Sequence, residues 1–169
     1  MKKYAVPQKF EGLFFRQQDD YSCGPACIVT VAKIYGVSGL DYNDIRHEMG
    51  TNDDIGTPSQ AMVEASQKYL PFNAAGESIY SGGIAIARIF DEEDHYVVFL
   101  DLEKDQVLYY EPYDHVLVEC DIQDIDWRSE TETLWDFTIN YSLFESPLID
   151  NLKISIKNTE DTQPKKKQG

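Results

Sequence analysis

Gln17-Gln18-Asp19-Asp20-Tyr21-Ser22-Cys23-Gly24-Pro25-Ala26-Cys27 is the stretch on which the reading of this sequence turns. It runs into residues 24–36 (GPACIVTVAKIYG), which read as a helix, with Pro25 tolerated in the first turn and Gly36 placed to end it. Only Thr30 and Lys33 break its apolar surface, so most of its circumference is expected to be buried, as in a central helix. Cys23 then stands at the first turn, where unpaired backbone N–H groups and the positive end of the helix dipole favour thiolate. Gly24 beside it lets a substrate backbone approach closely. Gln17, six residues upstream, has the reach to bring its carboxamide back beside the sulfur. There it can donate to a developing oxyanion together with the Cys23 N–H. Periodicity alone favours a plainer reading, because a buried cysteine is most often structural. Cys27, one turn further on, reads as core packing, and Cys-x₃-Cys is a weak signal for a redox pair.

Outward from this helix the chain changes character. Asp41 can cap a short second helix ending near Gly50, and Thr57-Pro58 is a good start for a helix running to about Leu70. Residues 84–90, 95–102, 107–110, 116–120 and roughly 134–142 are β-branched and aromatic runs separated by acidic or turn residues. Lys104-Asp105 is placed for a hairpin. Helices first and strands afterwards imply an α+β domain with an antiparallel sheet, preceded by an irregular or extended stretch over residues 1–20. Residues 158–169 (NTEDTQPKKKQG) are polar and read as a disordered tail, leaving 1–157 as one domain. Tyr109, Tyr110, Tyr113, Trp127 and Trp135 can line a groove, but core packing is the first reading of so aromatic a half.

Charge narrows the partners. The 169 residues carry 30 Asp and Glu against 15 Lys and Arg, a formal net charge of −15. A surface so acidic repels phosphate backbones and anionic headgroups, which argues against nucleic acid and membrane and leaves neutral or basic peptides. The basic PKKK of the tail reads as solvated. The opening MKKYAVPQKFEG has no apolar run behind its lysines, and no stretch approaches the roughly eighteen apolar residues of a membrane span. Cytoplasmic residence is the simplest expectation, with leaderless secretion compatible. Three cysteines (Cys23, Cys27, Cys120) supply no disulfide framework. No Cys/His group has zinc spacing, and the acidic pieces, Asp91–Asp94 among them, lack the glycine and spacing of a calcium loop. No cofactor or metal is called for.

The segment from Gln17 to Cys27, with Gly36 closing the helix, resembles the nucleophile motif of the C39 family of cysteine peptidases: Gln, five residues, then Cys-Gly-Pro-Ala. Weaker matches follow in the right order through Asp44-Ile45-Arg46, Gly50-Thr51, Gly56-Thr57 and the helix at 58–70, covering roughly residues 12–118 in all. The resemblance implies a papain-like fold, with the nucleophile helix packed on the sheet, and acyl transfer on a peptide or protein amide bond. It implies Cys23 as nucleophile, Gln17 as oxyanion donor and His95, opening the run His95-Tyr96-Val97-Val98, as base. The third member in this family is usually an aspartate before a proline, where this chain has Glu111-Pro112. Two assignments stay open, the first ahead of the second: Glu111 orients His95, or Asp114 does so with Glu111 as a structural acid. His47 reads as a solvated helix residue, and His115 is the one rival base.

The resemblance also implies cleavage of leader peptides after a double glycine in members fused to transporters, a specificity that cannot simply be transferred to this chain, since stand-alone members are a mixed group. The same machinery serves papain-like transferases and deamidases, such as phytochelatin-synthase-like proteins. A non-catalytic leader-peptide-binding module is a third reading.

Overall fold

Alternation sets the sheet. In a strand, successive side chains point to opposite faces. On β3 (Glu93–Glu103), Tyr96, Val98 and Leu100 enter one core cluster while Val97 and Phe99 enter another. On β4 (Gln106–Glu111), Leu108 and Tyr110 join the first, and Val107 and Tyr109 the second. The sheet is therefore buried on both faces. A computed structural model of the chain describes residues 1–70, 80, 82–91, 93–125, 138–140 and 147–162.

With β1 (Lys2–Ala5), β2 (Ala85–Asp91), β5 (Val116–Asp121) and β6 (Thr138–Asn140), the sheet has the order β1-β5-β4-β3-β2-β6, and every neighbouring pair is antiparallel. The β3–β4 hairpin turns at Lys104 and Asp105, both at positive φ, as the sequence leads one to expect. Four of the five expected strands lie within a few residues of their sequence bounds, and of the fifth only Thr138–Asn140 lies among the described residues. Strand β1 lies within the stretch read as irregular or extended, and it pairs along β5 from Lys2↔Glu119 to Ala5↔Val116.

Helix α1 (Cys23–Ile34) packs against β3 at the centre of the first cluster, with every residue from Cys23 to Ala32 buried. It stops where expected, with Gly36 at φ +75. Helix α2 (Tyr42–Glu48) is capped as expected, the Asp41 side chain accepting from the Asp44 N–H. Helix α3 (Ser59–Tyr69) starts later than expected. Pro58 holds the cap position, and the Thr57 hydroxyl is 2.8 Å from that of Thr51 instead of capping the helix.

The sequence reading did not anticipate α4 (Pro147–Thr162). Its Leu152 and Ile156 complete the first cluster, and Lys153 bridges Asp101 and Glu103 of β3. The boundary placed at residue 158 thus falls inside a helix, because an apolar stripe on 148–156 finds a core to cover. Trp127, Trp135 and residues 163–169 lie outside the described residues. Among those described, no helix is long and apolar enough to cross a membrane. Tyr109 and Tyr110 are core residues, whereas Tyr113 is exposed.

Candidate active site

The N-terminus of α1 meets the start of β3's buried run. Cys23 is 8% exposed, and its Sγ accepts from the backbone N–H of Tyr96 at 3.4 Å. His95, immediately before Tyr96, hydrogen-bonds both Cys23 and Glu111 through its side chain. Nε2 is the nitrogen on Glu111. Glu111 ends β4, and the turn after it holds the carboxylate from behind: Oε1 accepts from Tyr113 N at 3.1 Å and Oε2 from Asp114 N at 2.5 Å. Of the two acids left open by the sequence, the one on His95 is Glu111, and Asp114 contributes a main-chain N–H to it. The methylene by which glutamate exceeds aspartate is accommodated by this curl of the chain.

The electrostatics follow from the contacts. Burial opposes charge on His95, but the hydrogen bonds to Cys23 and Glu111, with their negative charges, outweigh it and push its pKa up to about 10. Burial likewise favours a neutral Glu111, yet the bond to His95 and the two backbone N–H groups hold its carboxyl below the ordinary range. Cys27 is sealed in the core. Burial, and then the nearby charges of Cys23 and Glu111, push its thiol well up, which suits the packing role read from the sequence.

The residues around Cys23 are tied to other elements. Ser22 holds the N-cap position of α1, but its hydroxyl is bonded to Tyr42 of α2 and makes no cap. The first-turn N–H groups of α1 are thus left uncapped by this side chain. Gly24 is required for a reason different from the one the sequence suggests. A Cβ there would lie 2.6 Å from Thr57 Oγ1, 2.8 Å from Thr57 Cβ and 2.9 Å from Met62 Sδ. The glycine therefore lets α3 close onto α1. Gln17 is buried, with its main-chain N–H on Pro112 O at 3.1 Å. Its Nε2 donates to Asp19 O at 2.6 Å, and its Oε1 has no partner among the described residues. It is fastened to the turn that carries Glu111, and it is not among the residues that line the open cleft.

That cleft has a volume of about 310 Å³, and Cys23 and His95 are among the residues that line it. Asp20, Asp53, Asp54 and Asp94 line it, as do Ile55, Ser59 and Arg88. His47, on α2, is not part of it. His115 lies elsewhere too: its Nδ1 is 2.7 Å from the Tyr110 hydroxyl and its Nε2 is 2.5 Å from Glu11. Among the described residues no group of three or more His, Cys, Asp or Glu side chains is arranged to hold a metal ion.

Sequence reasoning missed the Tyr96 N–H on Cys23, and also Tyr42 and Arg46, which grip residues 19–22 from α2. The adjacency of His95 and Tyr96 was a usable signal for the first. Arg46 stands in the Asp44-Ile45-Arg46 match, which marks the residue but not its partners, and nothing local marks Tyr42.

The profile of the peptidase C39 family matches residues 13–126. Among solved structures, the chain is similar to the peptidase domain of Streptococcus ComA, a bi-functional ABC transporter involved in a quorum sensing pathway. The TM-score is 0.57 and the identity 22%, over 73% of this chain and 92% of that one. It is also similar to a double glycine motif protease from an AMS/PCAT transporter in complex with the leader peptide. There the TM-score is 0.54 and the identity 19%, over 65% and 79% of the two chains. A comparison with curated proteins finds no match. At these identities the structural likeness speaks for the fold, which is α+β of the papain-like C39 type. Helix α4 lies beyond the matched residues.

Proposed function

The chain belongs to the peptidase C39 family, and on that premise we propose that it is a cysteine peptidase hydrolysing a peptide or protein amide bond through a Cys23 thioester. The observation that carries the proposal is the hydrogen-bonded line Glu111–His95–Cys23, whose Cys23 and His95 line an open cleft.

Cys23 Sγ attacks the carbonyl carbon, a C–S bond forms, and the carbonyl π pair moves to oxygen. The Cys23 N–H and the Gln17 carboxamide stabilise that oxyanion. His95, protonated through neutral pH, passes its proton to the amide nitrogen as the C–N bond breaks and the amine leaves. His95 then takes a proton from water as it attacks the thioester, and the Cys23 thiolate departs from the carboxylic acid. Glu111 holds the His95 ring and balances its charge.

The acidic lining of the cleft and the net charge of −15 favour a neutral or basic peptide. A peptide with two glycines before the scissile bond is the first substrate to try, since a double glycine motif protease with its leader peptide is among the similar structures.

The test is the rate of Cys23 alkylation by iodoacetamide from about pH 5 to 9, because thiolate governs that reactivity. Mass spectrometry assigns the modified residue. The expected result is rapid labelling of Cys23 below pH 7 that collapses in His95→Ala. Slow labelling with the pH profile of a free thiol, unchanged in the variant, would overturn the proposal.

A further inference from the structure

Gln17 is an unusual group to leave where it is. Its carboxamide is buried and, among the described residues, held by one bond, from Nε2 to Asp19 O, with Oε1 unsatisfied. A buried polar atom without a partner costs on the order of 1–3 kcal/mol, so an alternative rotamer that satisfied Oε1 would be preferred if one were accessible. A carboxamide turned by 180° differs only in exchanging an acceptor for a donor. What excludes that turn is the carbonyl of Asp19, which would then face Oε1. The usable orientation of Gln17 thus depends on where Asp19 sits.

Asp19 is not held by its own loop alone. Its Oδ1 accepts from Tyr21 N at 3.1 Å and its Oδ2 pairs with Arg46 Nη2 at 2.8 Å. The same Nη2 is 2.6 Å from the Tyr21 hydroxyl, and the guanidinium lies 5.1 Å from the centre of the Tyr21 ring. Arg46 reaches in from α2, a helix anchored by its Asp41 cap and, one turn before Arg46, by the bond between Tyr42 and Ser22. Residues four apart on a helix share a face, so α2 clamps both ends of the segment 19–22. The Arg46–Asp19 pair is about a quarter to a third exposed, and pairs so exposed contribute little stability.

We propose that Arg46 is a positioning residue for catalysis, fixing the Gln17 carboxamide through Asp19 so that a donor, and not Oε1, meets the developing oxyanion. This inference rests on the peptidase reading above. Loss of Arg46 lets Asp19 drift and Gln17 turn over. The damage falls on the step that develops charge on oxygen, while thiol reactivity is spared.

Two probes separate those effects. The first is acetylglycyl-aminoacetonitrile. Cys23 Sγ bonds to its nitrile carbon, one C≡N π bond opens, and the nitrogen takes the proton from His95. The resulting thioimidate places that nitrogen where the oxyanion would be. The second is iodoacetamide, from which Cys23 displaces iodide with no need of an oxyanion donor.

In Gln17→Ala the nitrile is expected to bind about a hundredfold more weakly, the usual scale for one oxyanion donor. In Arg46→Met the expected loss is about tenfold, recovered in part by Arg46→Lys, and the double variant should be no worse than Gln17→Ala alone, because coupled residues are non-additive. Alkylation rates should stay within about twofold of the native chain throughout. Asp19→Asn weakens the pair from its other end and carries the test if Arg46→Met fails to fold.

Unchanged nitrile affinity in Arg46→Met or Asp19→Asn, or independent losses in the double variant, would overturn the inference. So would a native chain that alkylates rapidly yet shows no affinity for the nitrile. A native chain that alkylates slowly and without dependence on His95 fails the peptidase reading itself, and that control tells the two failures apart.

Discussion

Two histidines of this chain each bond a glutamate, and only one of them also bonds a cysteine. His95 takes Glu111 on Nε2 and also bonds Cys23. His115 takes Glu11 on Nε2 and the Tyr110 hydroxyl on Nδ1. Consecutive residues of β4 serve the two, Glu111 the first and Tyr110 the second. The carboxylates differ in setting: Glu111 is 13% exposed and held by two main-chain N–H groups, whereas Glu11 is 55% exposed. Solvent weakens the second pair and leaves the first near full strength. An imidazole bonded to a carboxylate is therefore not in itself a site. What decides is the other group it bonds, and that group comes from a helix 72 residues away in sequence.

The largest effect expected separates the histidines outright. With a double-glycine peptide as substrate, His95→Ala should lower kcat about 10²- to 10⁴-fold, the range for loss of a general acid–base group. His115→Ala should leave kcat near the native value, and a comparable loss there would break the comparison. The carboxylates come next. Glu111→Gln removes one charge-assisted hydrogen bond, about 1.5–3 kcal/mol, hence roughly tenfold to a hundredfold in kcat, while Glu11→Gln should change it little.

A third difference appears in stability. His95 binds its proton more tightly in the folded chain, where its pKa is about 10, than in an unfolded one at about 6.5. Its stabilisation is thus complete below pH 6.5 and is lost as pH rises towards 10. Urea unfolding from pH 6 to 10 should show a steeper decline for the native chain than for His95→Ala, and parallel curves would sink this account. The smallest effect is Tyr110→Phe, which loses one neutral hydrogen bond to His115. It should cost about 1 kcal/mol in thermal unfolding without altering the alkylation profile of Cys23.

The elements that could be read from sequence are those whose pattern is local. The all-apolar run after Cys23 announces a buried helix, Asp41 a cap, Lys104-Asp105 a hairpin, and alternating residues 95–102 a strand. Less legible were β1, whose four residues become a strand only by pairing with β5, and α4, whose apolar stripe has meaning only against a core assembled by the rest. Within the site, Cys23 and His95 were marked by their neighbours along the chain. Glu111, standing before Pro112, was placed ahead of Asp114, but that Asp114 lends its main-chain N–H to the same carboxylate shows only once the turn is folded.

Gly24 shows how a right residue can be read for a wrong reason. Adjacency to the nucleophile suggested substrate access, but the space it frees is filled by Thr57 and Met62. Sequence by itself determined the class of fold, the helix with Cys23 at its head and the strand that carries His95, because helical and strand periodicity and end signals act over a few residues. Only tertiary structure decided that Glu111 and not Asp114 meets His95, that the Tyr96 N–H meets the sulfur, and that α2 grips residues 19–22. Those contacts join segments separated by 16, 73 and about 25 residues. No local preference encodes such a meeting: it exists once the sheet and helices have closed around a common core.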